Sequence, residues 1–331
     1  MISPLDDYFH PRSDDPHWNE SAWFGFHVPE RNLTGWLYIY HRRNMNYTQA
    51  GVGLFDPSGE FTWDSLFHDW HHTMELPPDA EMFDFAAENS LVVRCVEPWK
   101  TFTFAYDAEG LVLDLTWTAT MEPHDSGLPG GMADWALENA SPTGHYEQSG
   151  RMTGTVRLEA LGDEVVEINC WSVRDHSWGP RKITHHTPRG VNPWAANENM
   201  AFFLSAVGDR PSVTDPVDGT TEVIKSGFYR LGGDTAGLFD GTYRCTERGS
   251  DGRPLTVVCE ATDTLGRSFT AVGRCTNWLI WPGYPHYFQW WSLAEFDVNG
   301  EKAWGNVMEW LPADLARRWL RTKSGLAVTA R

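Results

Sequence analysis

At 331 residues the chain can hold about two domains of ordinary size, and its formal charge of −19 excludes a nucleic-acid backbone or an anionic membrane surface as natural partners, because like charges repel and no basic stripe offsets them. Although 41% of the residues are hydrophobic, no apolar run approaches the roughly 20 needed for a membrane-spanning helix. Eighteen Trp, 17 Phe and 10 Tyr stand out, and such rings either fill a wide core or line a cavity for a flat, apolar or cationic guest.

The N-terminal MISPLDDYFHPRSDDPHW has neither a basic start nor an apolar stretch, so a cytoplasmic location is expected. In that compartment the Asn-x-Ser/Thr matches at Asn19, Asn32 and Asn46 are chance, and the scattered Cys95, Cys170, Cys245, Cys259 and Cys275 read as reduced, mostly buried thiols. WNESAWFGF (18–26) sets Glu20 between Trp18 and Trp23, where it is either a second pocket carboxylate that orients water or a surface acid at a strand start. GWLYIYH follows, with Trp36, Tyr38 and Tyr40 on one face and Leu37 and Ile39 on the other, as expected of a strand buried on both sides. Arg42 and Arg43, in the turn-like YHRRNMNY before Tyr47, are either solvated charges or a clamp for a carboxylate. HDWHH places His68, His71 and His72 together, but adjacent loop histidines rarely converge on a metal.

Strands are expected at 49–55 and 90–95, then a hairpin in which Phe102, Phe104 and Tyr106 alternate, a D-x-x-G turn intervenes, and Leu111, Leu113, Leu115 and Trp117 alternate again. The polar, Gly- and Pro-rich stretch 121–150 reads as a domain connection. Further strands are expected at 152–159, 165–174, 200–208, 221–231, 255–262, 268–275, 287–296 and 304–310, and PADLARRWLRTK gives one helix with Leu315, Trp319 and Leu320 at helical spacing. ITHHTP adds His185 and His186, and NWLIWPGYPHYFQWW (277–291) is the densest aromatic patch, with Trp281, Tyr287 and Trp290 as candidate contacts for a ligand. Many short strands imply a mainly β fold, a sandwich or barrel. The similarity of WNESAWFGF to WSVRDHSWGP (171–180), each followed by an apolar strand, suggests a duplicated unit.

The chemistry concentrates in VRDHSWGPR (173–181). Period-two geometry puts Asp175 and Ser177 on one face of a strand and His176 and Trp178 on the other. An Asp among indoles and shielded from water has a raised pKa and can donate a proton, with His176 to tune or reload it, unless Arg174 or Arg181 holds it ionised. The alternative is a structural hydrogen-bond clasp lidded by Trp178. Three consecutive residues in a strand cannot form a nucleophilic triad. Glu309, flanked by apolar residues on a strand, calls for an arginine such as Arg174 or Arg181. No phosphate-binding glycine loop and no H-E-x-x-H is present.

DHSWGPR before an apolar strand, the early W-N-E-S and the late GEKAWGNVMEW (300–310) resemble the carotenoid 1,2-hydratase superfamily, which includes hydroxyneurosporene synthase and kievitone hydratase. The resemblance spans nearly the whole chain and is most specific at D-H-x-W-G. It implies two tandem lipocalin-like antiparallel β-barrels with a short C-terminal helix, over residues 1–140 and 141–331, and AttH-like architecture. It further implies acid-initiated alkene chemistry without cofactor or metal, Asp175 as proton donor, on a small hydrophobic, isoprenoid-like substrate. Trp18, Trp23, Tyr47, Trp178, Trp281, Tyr287 and Trp290 are then the aromatic contacts, and Asp175, His176, Arg181 and Glu20 the catalytic candidates. Pericyclases resemble the same group, so fold alone does not fix the reaction. A terpenoid carrier and a glycan-active protein using a Glu20/Asp175 pair remain alternatives, and a homo-oligomer stays open.

Overall fold

The computed structural model describes residues 2–125, 144–181, 189–208, 221–282, 287–323 and 325, with only the backbone of His71, His72, Tyr287 and Lys323. The chain divides into two compact units, Met1–Ser58 with Trp63–Lys182, and Gly59–Thr62 with Ile183–Arg331.

The first unit contains β1 (Trp18–Val28), β2 (Leu33–Arg42), β3 (Tyr47–Phe55), β4 (Phe67–Met74), β5 (Asp84–Ala86), β6 (Val92–Glu97), β7 (Thr101–Ala108), β8 (Leu111–Ala119), β9 (His124–Asp125), β10 (Gly144–Leu158) and β11 (Val165–Pro180). They form one antiparallel sheet in the order β4-β3-β2-β1-β11-β10-β8-β7-β6-β5, with β9 on β10. The β7–β8 hairpin follows the sequence alternation: Ala108 pairs with Leu111 and Phe102 with Trp117. Its two turn residues, Glu109 and Gly110, both have positive φ (52° and 84°), as a two-residue hairpin turn demands, and glycine takes the second at no steric cost. Phe102, Phe104, Leu113, Leu115 and Trp117 pack with Phe24, Leu37, Ile39, Val52 and Met152 into one core. β2 is buried on both faces as its sequence indicates, with Trp36 and Tyr40 covered opposite that core.

The second unit contains β12 (Gly190–Ala196), β13 (Met200–Val207), β14 (Thr221–Leu231), β15 (Asp234–Arg248), β16 (Pro254–Asp263), β17 (Ser268–Cys275), β18 (Leu279–Trp281), β19 (Tyr287–Val298) and β20 (Glu301–Pro312). β12 to β17 pair in succession, β17 pairs with β19, and β19 and β20 lead back to β12, so eight strands close a barrel with β18 appended to β19. Closure removes sheet edges. Phe202, Tyr229, Val257, Phe269, Phe296 and Val307 fill the interior. The helix Ala313–Lys323 lays Leu315, Ala316 and Trp319 on Trp290 and Leu311.

Among the described residues the architecture is thus mainly β, a closed eight-stranded barrel and a large antiparallel sheet, with one short C-terminal helix. The change of unit falls after Lys182 rather than after residue 140. The reason is pairing: β10 and β11 hydrogen-bond to β8 and β1, so this polar part of the sequence completes the first sheet. Residues 126–143, inside the stretch read as a connection, lie outside the described residues.

Candidate active site

β11 sits at the middle of the first sheet, between β1 and β10. Its alternation sends Asp175 and Ser177 to one face and Arg174, His176 and Trp178 to the other. Each residue therefore meets its own set of cross-strand neighbours. Asp175 is opposite Trp23 on β1 and Glu147 on β10, and Ser177 is opposite Ser21 and His145.

On the Asp175 face, Oδ1 accepts a hydrogen bond from the Trp23 backbone N–H at 2.9 Å. His145 bridges two neighbours, with Nδ1 2.8 Å from Ser177 Oγ and Nε2 2.7 Å from Glu147 Oε1. Asp175 is half-buried, and among the described residues it is in no ion pair with an arginine. Burial pushes its carboxyl up to about 6; His145, the Trp23 N–H and Arg181 act against the rise, and Glu147 adds to it. Burial acts to lower His145, but Glu147 beside it, with Asp175, outweighs that and holds the imidazole above its ordinary range. Arg181 donates from Nη1 to Ser21 Oγ at 3.3 Å, and Arg42 ties the same segment by donating to the Arg181 carbonyl at 2.9 Å. Tyr38, paired with Trp23 across β1 and β2, stacks on Trp70 at 4.9 Å and carries the aromatic surface away from Asp175.

The other face is denser. Arg174 is fully buried, and its guanidinium pairs with Asp7 (Nη1 to Oδ1, 2.9 Å), donates from Nε to Gln148 Oε1 at 2.8 Å and lies 4.4 Å from the centre of the Phe102 ring. Tyr146 donates its hydroxyl to Asp7 as well. His176, also fully buried, lies among the rings of Tyr146, Phe83 and Trp178, with centroids 5.3 to 5.5 Å away. Burial, then His10 and Arg174, pushes its imidazole well below the ordinary range. Glu20 accepts from Trp18 Nε1 at 3.2 Å and meets His10 Nδ1 at 2.9 Å, while His10 stacks on Trp178 at 3.9 Å. A side chain at Gly144 would meet that indole, since a Cβ there falls 1.9 Å from Trp178, so glycine is required opposite it.

The structure thus brings together Asp175, Trp23 and Arg181 of the sequence candidates, and it separates Asp175 from His176 and Glu20, which project from the opposite face. The His176 side chain therefore does not face Asp175; His145 and Glu147 are the neighbours of Asp175. The Glu20/Asp175 carboxylate pair does not form, and Trp18 and Trp178 line the Glu20 side. Tyr47 lies beside Tyr40, 6.4 Å between centroids. Glu309 pairs with neither Arg174 nor Arg181: it takes two hydrogen bonds from Arg248, at 2.7 and 2.5 Å, because both lie in the second unit. Trp281, stacked on Trp291 at 4.8 Å, and Trp290, against Trp319, also belong to the second unit. The Tyr287, His71 and His72 side chains, and His185 and His186, lie outside the described residues, whereas His68 sits edge-on to Trp36. Arg43 is no loose loop charge, for its guanidinium covers the Phe9 ring at 4.2 Å. His145 and Glu147 escaped the sequence reading because GHYEQSG looks like a loop, yet its H-x-E spacing already puts both on one strand face.

The fold is that of AttH-like proteins: a protein named provisionally as an AttH from Nitrosomonas europaea superposes with a TM-score of 0.62 at 13% identity, covering 94% of this chain and 96% of its own. Kievitone hydratase from Nectria haematococca superposes with a TM-score of 0.52 at 11% identity, covering 95% and 94%. The chain belongs to the family described as a domain of unknown function, DUF7064, whose pattern matches residues 3–313. No curated protein matches it. Among the described residues, no helix is long and apolar enough to cross a membrane.

Proposed function

We propose that the protein is a cofactor-independent hydratase, dehydratase, isomerase or cyclase acting on the alkene of a hydrophobic, isoprenoid-like substrate, with Asp175 as the proton donor. The observation that carries the reading is the setting of Asp175: a half-buried carboxyl on a central strand, bound through Oδ1 by one backbone N–H and flanked by an imidazole–carboxylate pair. The fold shared with kievitone hydratase supports the reaction class.

In the hydration direction the protonated Asp175 gives its hydrogen to the less substituted alkene carbon, leaving a tertiary cation. The π-faces of Trp23 and Tyr38 stabilise such a charge by about 0.5–2 kcal/mol each. Water adds to the cation and loses a proton, which returns to the Asp175 carboxylate, and the sum is alkene plus water to alcohol. His145, held by Glu147, is placed to carry that proton back, and Arg181 limits how far the acid's pKa rises. The reverse order dehydrates, and capture of the cation by a second alkene cyclises.

Incubation with a panel of linear and cyclic terpenoids, followed by mass spectrometry, tests the proposal. The expected result is a product differing by one water, or an isomer, that disappears in Asp175→Asn while the variant still binds the substrate. Full activity in Asp175→Asn removes the acid role, and a panel returned unchanged by the wild type makes the protein a carrier.

A further inference from the structure

We propose that His10, Glu20 and His176 form a binding site for one divalent transition-metal ion of the zinc class. Nitrogen atoms of the two imidazoles and a carboxylate oxygen of Glu20 all lie within 4.8 Å of one another. They come from three places, the N-terminal segment, β1 and β11. The last two are adjacent strands of one sheet, so two of the three ligands sit on rigid backbone.

Two observations point to an ion and not merely to a hydrogen-bond cluster. The first is His176. It is fully buried, and among the described residues the Ser21 backbone is the one group that comes near enough to bond its ring, so at least one ring nitrogen is left without a partner, although buried polar groups are nearly always satisfied. A ligated metal satisfies that nitrogen. The second is Asp6: His10 presents Nδ1 to Glu20 and places Nε2 3.0 Å from Asp6 Oδ1. A metal-bound histidine commonly donates its second N–H to a carboxylate, which fixes the ring's tautomer and orientation. The Trp178 indole stacked on His10 holds the ring from the side.

The donor set of two imidazoles and one carboxylate suits zinc, and three protein ligands leave a fourth position for water. Ligands about 2.0–2.1 Å from a tetrahedral ion lie roughly 3.3 Å from one another, so closing the site takes a shift of about 1.5 Å at most. Arg43 reaches Glu20 Oε1 at 3.6 Å and, with Phe9, lines an open cavity of about 180 Å³. This site projects from the face of β11 opposite Asp175 and does not depend on the reaction proposed for it.

The test uses the full chain, stripped with a chelator, dialysed and titrated calorimetrically with ZnCl₂; a parallel titration with CoCl₂ follows the visible absorption of tetrahedral cobalt. The expected result is one ion per chain with intense cobalt bands, and Zn²⁺ affinity at least 100-fold weaker in Glu20→Gln and in His176→Phe. Should His176→Phe fail to fold, Asp6→Asn decides, because Asp6 borders solvent and touches no ion directly; an affinity 10- to 100-fold weaker is expected. The absence of saturable binding, or wild-type affinity in both Glu20→Gln and Asp6→Asn, overturns the proposal.

Discussion

Replacing Asp7 by Asn removes the only negative charge that, among the described residues, the fully buried Arg174 touches directly, with little change of volume. Four contacts change at once: the two guanidinium bonds at 2.9 and 3.4 Å, the Tyr146 hydroxyl and the Trp99 N–H. Summing about 1.5–3 kcal/mol for each charged bond overstates the loss, since these bonds form one network and their energies do not add. The better guide is the cost of leaving one member of a buried ion pair unpaired, about 3–5 kcal/mol. For a unit of this size that is a fall of roughly 10 °C in its melting temperature. Urea unfolding, with tryptophan emission as the signal, measures it. The companion variant Asp7→Asn/Arg174→Met discards the stranded charge and fills the site among Phe24, Phe83, Phe102 and Trp117 with an apolar chain. It is expected to regain at least half of the loss. A single variant within about 1 kcal/mol of wild type refutes the reasoning, and so does a double variant less stable than the single one.

How much of this was legible in the sequence depends on the range of the interaction. The β7–β8 hairpin was readable because alternation and turn chemistry are local, and β2 was readable because both its faces are apolar. Closure of the second barrel through β17 and β19 leaves no local trace. The first half of β10, ahead of the strand expected at 152–159, was hidden for a different reason: His145, Glu147, Gln148 and Ser149 are polar, and polar runs read as loops, yet here the last three are buried and His145 is half-buried because their partners wait on other strands. Asp175 was visible in VRDHSWGPR, and so was its separation from His176 by one step of the strand. Its partners were not, since Trp23 lies 152 positions away and His145 was lost with the polar first half of β10. Arg174 illustrates the limit most sharply. The sequence offered Asp175 and Glu309 as its counter-charges, and the fold delivers Asp7 from 167 positions upstream, a residue in an unremarkable acidic N-terminus.

Two further expectations concern groups away from β11. Burial raises Cys95, Cys170 and Cys245 to about 12 and pushes Cys259 and Cys275 higher still, so the folded protein should react with a thiol reagent at neutral pH far more slowly than the denatured one, in which all five cysteines react. Rapid labelling of several thiols in the native state contradicts that burial. The last expectation concerns Glu222 in the second barrel, which burial raises to about 7, aided by the Glu309 charge and opposed by Arg189 and Arg248. The unfolded chain ionises this group near pH 4.3, so below that both states carry the proton and the linkage vanishes. Between about pH 4.3 and 7 the unfolded state releases its proton first, and stability falls as pH rises, by an amount on the order of 3 kcal/mol across the interval. In Glu222→Gln that slope has no source. Urea midpoints measured at several pH values should therefore decline less steeply in the variant than in the wild type. Parallel declines in the two proteins mean that Glu222 is already ionised through this range, balanced by Arg189 at 3.1 Å, and that the pair behaves as an ordinary salt bridge.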